Sequence, residues 1–212
     1  MKAIDISWPI SVSMTTYKDA KDVRIESTKS FDVDGVRACC FSLGSHVGTH
    51  VDAPAHFIKN GPTIDKIELE RIMGECKVLD FTDVEDKITD EHLALYDIDY
   101  EDIILLRTKN SFLKPDAPFN KNFVYLDESG AQYLADIGIQ CVGIDYLGLE
   151  RDQPGHPTHT ILMLAEVAII EGLRLAHVEQ DLYSLVCLPL AVHGTDAAPA
   201  RAILFAEEDD DQ

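Results

Sequence analysis

Three histidines and an aspartate fall within one short stretch, His46-Val-Gly-Thr-His50-Val-Asp52-Ala-Pro-Ala-His56. Imidazole and carboxylate are the usual ligands of a borderline cation such as zinc. If these groups meet at one ion, the backbone that carries them has little freedom. In a strand, His46, His50 and Asp52 would share a face, because side chains alternate. Four extended residues span roughly 13 Å, yet ligand atoms sit only ~2.0–2.2 Å from a zinc. A straight strand therefore fails, whereas positions i and i+4 of a helical turn approach to roughly 5–6 Å. Gly48 admits an unusual backbone angle or a close approach, and Pro54 biases Ala53 away from helix. The segment is expected to form a tight bend or a single helical turn after a strand. Any one of these histidines alone reads as a surface or satisfied core residue. Together with Asp52 they read as a metal site, and the spare histidine suggests a proton carrier beside the ion.

A chain of 212 residues with 46% hydrophobic content can bury a sizeable core. We expect one domain over residues 1–206 and a solvated acidic tail over 207–212. The formal charge of −20 should repel nucleic acid and anionic membrane surfaces. No stretch approaches the ~20 apolar residues of a membrane span. The N-terminal residues lack the apolar run of a signal peptide, so a cytoplasmic location is expected. The five cysteines form no C-x-x-C pair, which argues against a disulfide framework or a thiolate zinc site.

Along the chain, residues 4–10 read as a strand, 14–30 as a polar loop, and 33–43 as a strand leading into the histidine segment. A short helix is expected over 64–71, then a strand over 74–81. Residues 89–96 read as a helix, 102–107 as a buried strand, 127–136 as a helix and 141–144 as a strand. A helix over 157–166 should be followed by strands over 167–170, 185–192 and 200–205. Strands and helices mix without clean βαβ regularity, so the class is α/β or α+β.

A closed site needs partners from the second half of the chain. His159 is expected near a helix start. Glu171 is expected at the end of an apolar strand, where a buried charge requires a partner and a metal would serve. Its alternative is a solvent-facing strand end. Glu166 and His177 read as surface groups, and His193 either lines the cavity or sits in a turn. The sequence has no G-x-S-x-G elbow, no phosphate-binding glycine loop and no H-E-x-x-H helix. Its aromatics do not interleave with basic residues.

The pattern His46-x-Gly-Thr-His50-x-Asp52-x-Pro-x-His56 resembles the signature of the metal-dependent cyclase-like hydrolases. Bacterial kynurenine formamidase (arylformamidase) and isatin hydrolase belong to that family. Residues 4–10 look like the family's opening strand, and His159 with Glu171 like its second ligand pair. Asp196-Ala-Ala-Pro-Ala-Arg201 looks like its closing Asp-Gly-Ala-Pro-Ala-Arg, with Ala197 in place of glycine. The resemblance implies a swivelling β/β/α domain, usually a homodimer or larger oligomer. It implies His46, His50 and Asp52 as ligands of one metal, with His159 and Glu171 completing a two-zinc site. Manganese is an alternative to zinc. It implies His56 as general acid and base, and Tyr17 near the aromatic residue that contacts substrate. The family's Pro-Gly-Asp after that aromatic reads Lys18-Asp-Ala20 here, so the loop shaping the pocket differs. The expected reaction is hydrolysis of a small amide by metal-activated hydroxide, with N-formylkynurenine as the first substrate. Opening of a cyclic amide is the nearest alternative, and a non-catalytic metal- or ligand-binding protein on the same fold is the rival from another class.

Overall fold

The computed structural model describes residues 2–206. The acidic stretch expected to form a tail, 207–212, lies outside the described residues. The strands are β1 (Lys2–Asp5), β2 (Arg24–Lys29), β3 (Ala38–Ser42), β4 (His50–Asp52), β5 (Met73–Phe81), β6 (Lys87–Ile88), β7 (Ile103–Thr108), β8 (Tyr125–Leu126), β9 (Cys141–Ile144), β10 (Ala168–Glu171), β11 (Leu182–Pro189) and β12 (Ala197–Ala206). The helices are α1 (Phe31–Asp34), α2 (Asp90–Leu93), α3 (Glu128–Ile137) and α4 (Pro157–Leu164).

Eight strands form one sheet in the order β1-β12-β11-β5-β7-β9-β10-β4, and β4 also pairs with β12. That last pairing closes seven strands into a barrel, with β1 flanking β12. β5, β7, β9 and β10 run parallel. The pairings of β12 with β1, β11 and β4, of β11 with β5, and of β10 with β4 are antiparallel.

Strand alternation sorts the apolar residues into two layers. Val51, Val78, Ile103, Leu105, Cys141, Ile170, Cys187 and Leu204 meet in one cluster, the barrel interior. Leu79, Ile104, Leu106, Val142 and Ile169 face the other way, against Leu134 of α3 and Leu162 of α4. The near-continuous apolar run at 103–106 is thus a strand buried on both faces. Burying each such Leu or Ile contributes about 1.5–3 kcal/mol. α3 starts where Asp127 accepts a hydrogen bond from the Gly130 N–H, an N-cap that satisfies one free donor of the first turn.

Several local expectations need correction. The loop at 14–30 contains a 3-10 turn at Tyr17–Asp19 and the strand β2. The strand expected over 33–43 begins as α1 and becomes extended only at Ala38. β2 and β3 form a separate two-stranded ribbon, exposed at almost every position. Without an apolar alternation facing a core, that ribbon carries no burial signal for a sequence reading to detect. At the N-terminus regular pairing stops at Asp5.

Candidate metal centre

The histidine segment is neither a straight strand nor a helical turn. His46 lies in a turn, the chain bends at Gly48 (φ 64°), and His50–Asp52 is a strand followed by a 3-10 turn at Pro54–His56. The expected bend is present. The three-residue strand after it was not expected, and it changes how the candidate ligands are presented. In β4, His50 stands opposite Glu171 of β10, and Asp52 opposite Ile169. Val51 and Ile170 fill the barrel interior, so alternation turns His50, Asp52 and Glu171 outward together.

Two glycines permit the bend. Gly172 has φ 71°, and a Cβ on it would lie 2.2 Å from the Gly48 carbonyl oxygen, so the two backbones touch. The Thr49 hydroxyl donates to the Gly172 carbonyl at 2.6 Å and accepts from the Trp8 N–H at 2.7 Å, fastening the bend to the end of β10.

His159 enters from the first turn of α4, with Nε2 3.1 Å from Glu171 and 3.7 Å from Asp52. His50 Nε2 lies 3.3 Å from Glu171 and 3.4 Å from Asp52 Oδ1. His46 Nδ1 lies 3.0 Å from Asp52 Oδ1. His56 completes the group, its ring centroid 4.1 Å from that of His46. All six groups singled out in the sequence therefore meet. Two triads are close enough to hold an ion, His46–Asp52–His56 and His50–Asp52–Glu171, and Asp52 belongs to both. This grouping cuts across the set of His46, His50 and Asp52 implied by resemblance.

The buried atoms of this cluster fit a cation. His50 Nε2 and Asp52 Oδ1 are buried and make no well-aligned hydrogen bond among the described residues, although each lies within 3.4 Å of the other and Asp52 Oδ1 lies 3.0 Å from His46 Nδ1. Atoms that crowd together without bonding one another are arranged to share a third body. The outer nitrogens are already engaged. His50 Nδ1 donates to the Gly48 carbonyl at 2.8 Å, and His46 Nε2 is 2.9 Å from Asp196. Such contacts fix ring orientation and leave the inner nitrogen as the ligand.

Protonation follows the same charges. Burial would lower the pKa of His46, but Asp52 and Asp196 outweigh it and raise it to about 9. Burial likewise opposes the charge of His159, while Glu150 and Glu171 raise its pKa to about 10. Burial would raise the pKa of Glu171, but His159 and His50 hold it well below the usual carboxylate range. His56 moves the other way, lowered chiefly by burial. A cation binding here would replace protons, the usual linkage at imidazole–carboxylate sites.

A cleft of about 430 Å³ opens onto these groups and is lined also by Tyr17, Lys18, Phe57, Gly148 and His156. That volume suits a small-molecule ligand. Tyr17 packs edge-on against Phe119, with centroids 5.1 Å apart. The remaining candidates lie elsewhere. His193 is exposed and contacts Asp65, Glu166 is exposed, and His177 approaches the Asp5 carbonyl. Two residues near the cluster carried little warning. Asp196 stands at the head of the closing motif. Glu150, buried beside His156 and His159, is one acidic residue among 38 Asp and Glu.

A family model described as "Putative cyclase" matches residues 4–151. The chain belongs to the cyclase family of metal-dependent hydrolases. It is 31% identical over 207 residues to the kynurenine formamidase of Salinibacter ruber, covering 96% of this chain and 97% of that protein. A solved structure named as a potential metal-dependent hydrolase with cyclase activity is 43% identical, with TM-score 0.89 over 98% of this chain and 99% of that one. Isatin hydrolase A from Ralstonia solanacearum superposes with TM-score 0.83 over 97% of this chain and 92% of its own, at 20% identity, and so shares the fold. The α/β barrel is thus the family's architecture, and the chain is a hydrolase of that family. Among the described residues no helix is long and apolar enough to cross a membrane.

Proposed function

We propose that the protein is a zinc-dependent amide hydrolase acting on an arylformamide, with N-formylkynurenine as the substrate to test first. The observation that carries this reading is the pair of buried, unbonded atoms His50 Nε2 and Asp52 Oδ1, the second on a residue that lines the cleft together with His46, His56, His159 and Glu171. The 31% identical kynurenine formamidase supports the substrate class. His46, His50, Asp52, His159 and Glu171 are the residues that would hold metal, and manganese accepts the same donor set. When bound, zinc supplies Lewis acidity and lowers the pKa of water to roughly 7. His56 is partly exposed at the cleft and kept neutral by burial. It takes the proton from the attacking water and delivers it to the leaving nitrogen. Asp196, 3.4 Å from His56 Nδ1, orients that ring. Tyr17 and Phe57 offer apolar surface to an aryl group.

We also read the chain as a homodimer or larger oligomer. The β2–β3 ribbon, α1 and the link between α1 and β3 expose Ile25, Phe31, Val33, Val36 and Phe41, and exposed apolar patches of this kind mark protein contacts. Light scattering should give more than one chain per particle.

The deciding assay follows kynurenine release from N-formylkynurenine by zinc-replete protein. We expect chelator-sensitive turnover with kcat/KM of roughly 10⁴ M⁻¹s⁻¹ or above. Chelator-sensitive opening of a cyclic amide with no release of kynurenine would reassign the substrate. No turnover on either class would move the search to other small acyl compounds, and absence of chelator-sensitive hydrolysis across a broad amide panel would favour a metal- or ligand-binding role.

A further inference from the structure

Each ring at the cluster's edge has its outer nitrogen facing an oxygen. His50 faces the Gly48 carbonyl and His46 faces Asp196. For His159 the oxygen belongs to Glu150, on the segment between β9 and α4. Glu150 is 5% exposed, and a carboxylate so placed needs partners. Its Oε2 lies 3.3 Å from His159 Nδ1 and accepts the His159 backbone N–H at 3.3 Å. Its Oε1 contacts His156 Nδ1.

These contacts fall on a helix end that its own sequence leaves open. His156 is the N-cap of α4, has left-handed backbone (φ 52°), and makes no side-chain capping bond. Pro157 at the first helical position has no N–H. Glu150 therefore supplies from outside the acceptor that an N-cap side chain normally provides. A negative charge at this end is also favoured by the helix dipole.

His159 is carried by an α-helix, while His50, Asp52 and Glu171 ride on paired strands. Its position relative to them depends on how the first turn of α4 is seated. A plain structural ion pair would hold the helix end without favouring either face of the ring. Here one carboxylate holds the backbone N–H and the outer ring nitrogen of the same residue. The Nδ1 contact falls short of a full hydrogen bond, so the bond from the His159 backbone N–H does most of the seating.

We propose that Glu150 is a positioning residue that seats His159 over the strand-borne ligands and thereby sets metal affinity. The inference rests on the metal-site reading above. It adds a residue to that site and predicts a binding effect separable from turnover.

The test is Zn²⁺ affinity, measured by competition with a chromophoric chelator, together with the melting temperature of the metal-free protein. Glu150→Ala should bind zinc about 10–100-fold more weakly, and Glu150→Gln, whose amide oxygen still accepts the His159 N–H, should return to within about threefold of wild type. Should Glu150→Ala fail to fold, Glu150→Asp, which keeps the charge but withdraws it from α4, carries the same reading through weaker zinc binding. A variant that melts earlier yet binds zinc as tightly as wild type overturns the proposal and leaves Glu150 structural. If wild type itself binds no zinc, the metal reading falls and takes this one with it. If wild type binds and Glu150→Ala binds equally, only the positioning role falls.

Discussion

Two buried acidic clusters sit on the same barrel and behave differently. Asp145, just past β9, is fully buried and receives bonds from Thr108 N and Oγ1 at 2.7 Å each. Ser111 adds two more, from N at 3.1 Å and Oγ at 2.6 Å. Every donor there is neutral, and both carboxylate oxygens are used. The cluster of Asp52 and Glu171 is buried to a similar degree, but it keeps ligand atoms unbonded at close range. Burial of a carboxylate therefore does not mark a site. What marks one is polar capacity left over and aimed inward.

The largest effect should come from removing the residue common to both triads. Asp52→Ala should lose stoichiometric metal, read by elemental analysis, and lower turnover beyond the ~10⁴-fold upper range for a proton-transfer group. Wild-type metal content in that variant would erase the contrast between the clusters. His56→Asn should keep full metal content and lose about 10²–10⁴-fold in kcat. Loss of metal there would make His56 a ligand in its own triad rather than a proton carrier.

Asp145→Ala should do the reverse, keeping metal while lowering stability by about 3 kcal/mol or more in denaturant titrations, because buried donors lose their acceptor. Burial raises the pKa of Asp145 from 3.8 to about 6, against the bonds from Ser111 and Thr108. The unfolded chain thus releases this proton first. The group's contribution to stability is fully present below pH 3.8 and is lost as pH rises to about 6, on the order of 3 kcal/mol in total. The variant's stability curve should lack that decline, and an unchanged slope would contradict the buried assignment. The smallest effect should be Tyr17→Ala, which removes one cleft wall and should raise KM about tenfold or more with kcat little changed.

How legible this was in the sequence depended on whether function and burial left a local pattern. The candidate ligands His46, His50 and Asp52 and the apolar runs at 103–106 and 141–144 announced themselves through spacing and periodicity. Glu171 was readable because an apolar strand ended in a charge. Barrel closure was not, since the β4–β12 and β4–β10 pairings join residues more than a hundred positions apart. Nor was the strand β4 itself, because three residues are too short for alternation to register and nothing in residues 46–56 marks where turn gives way to strand. In fact the bend at Gly48 delivers His46 from a turn and leaves His50 and Asp52 on a strand. Glu150 has no local signature at all. Its partners are set by how α4 seats on the barrel.

β4 is also the strand that shuts the barrel, since it alone pairs with both β10 and β12. The candidate ligands therefore come together only when the cylinder is complete, and a cation shared by His50 and Glu171 would lie across that seam as a clasp. Amide hydrogens of residues 50–52 and 169–171 should then exchange more slowly in metal-loaded protein than in metal-free protein, while those at the distant β5–β7 pairing should hardly change. Loading the site and locking the barrel would be one event, so the metal-free protein would be the looser one at the very strand that carries two of the candidate ligands.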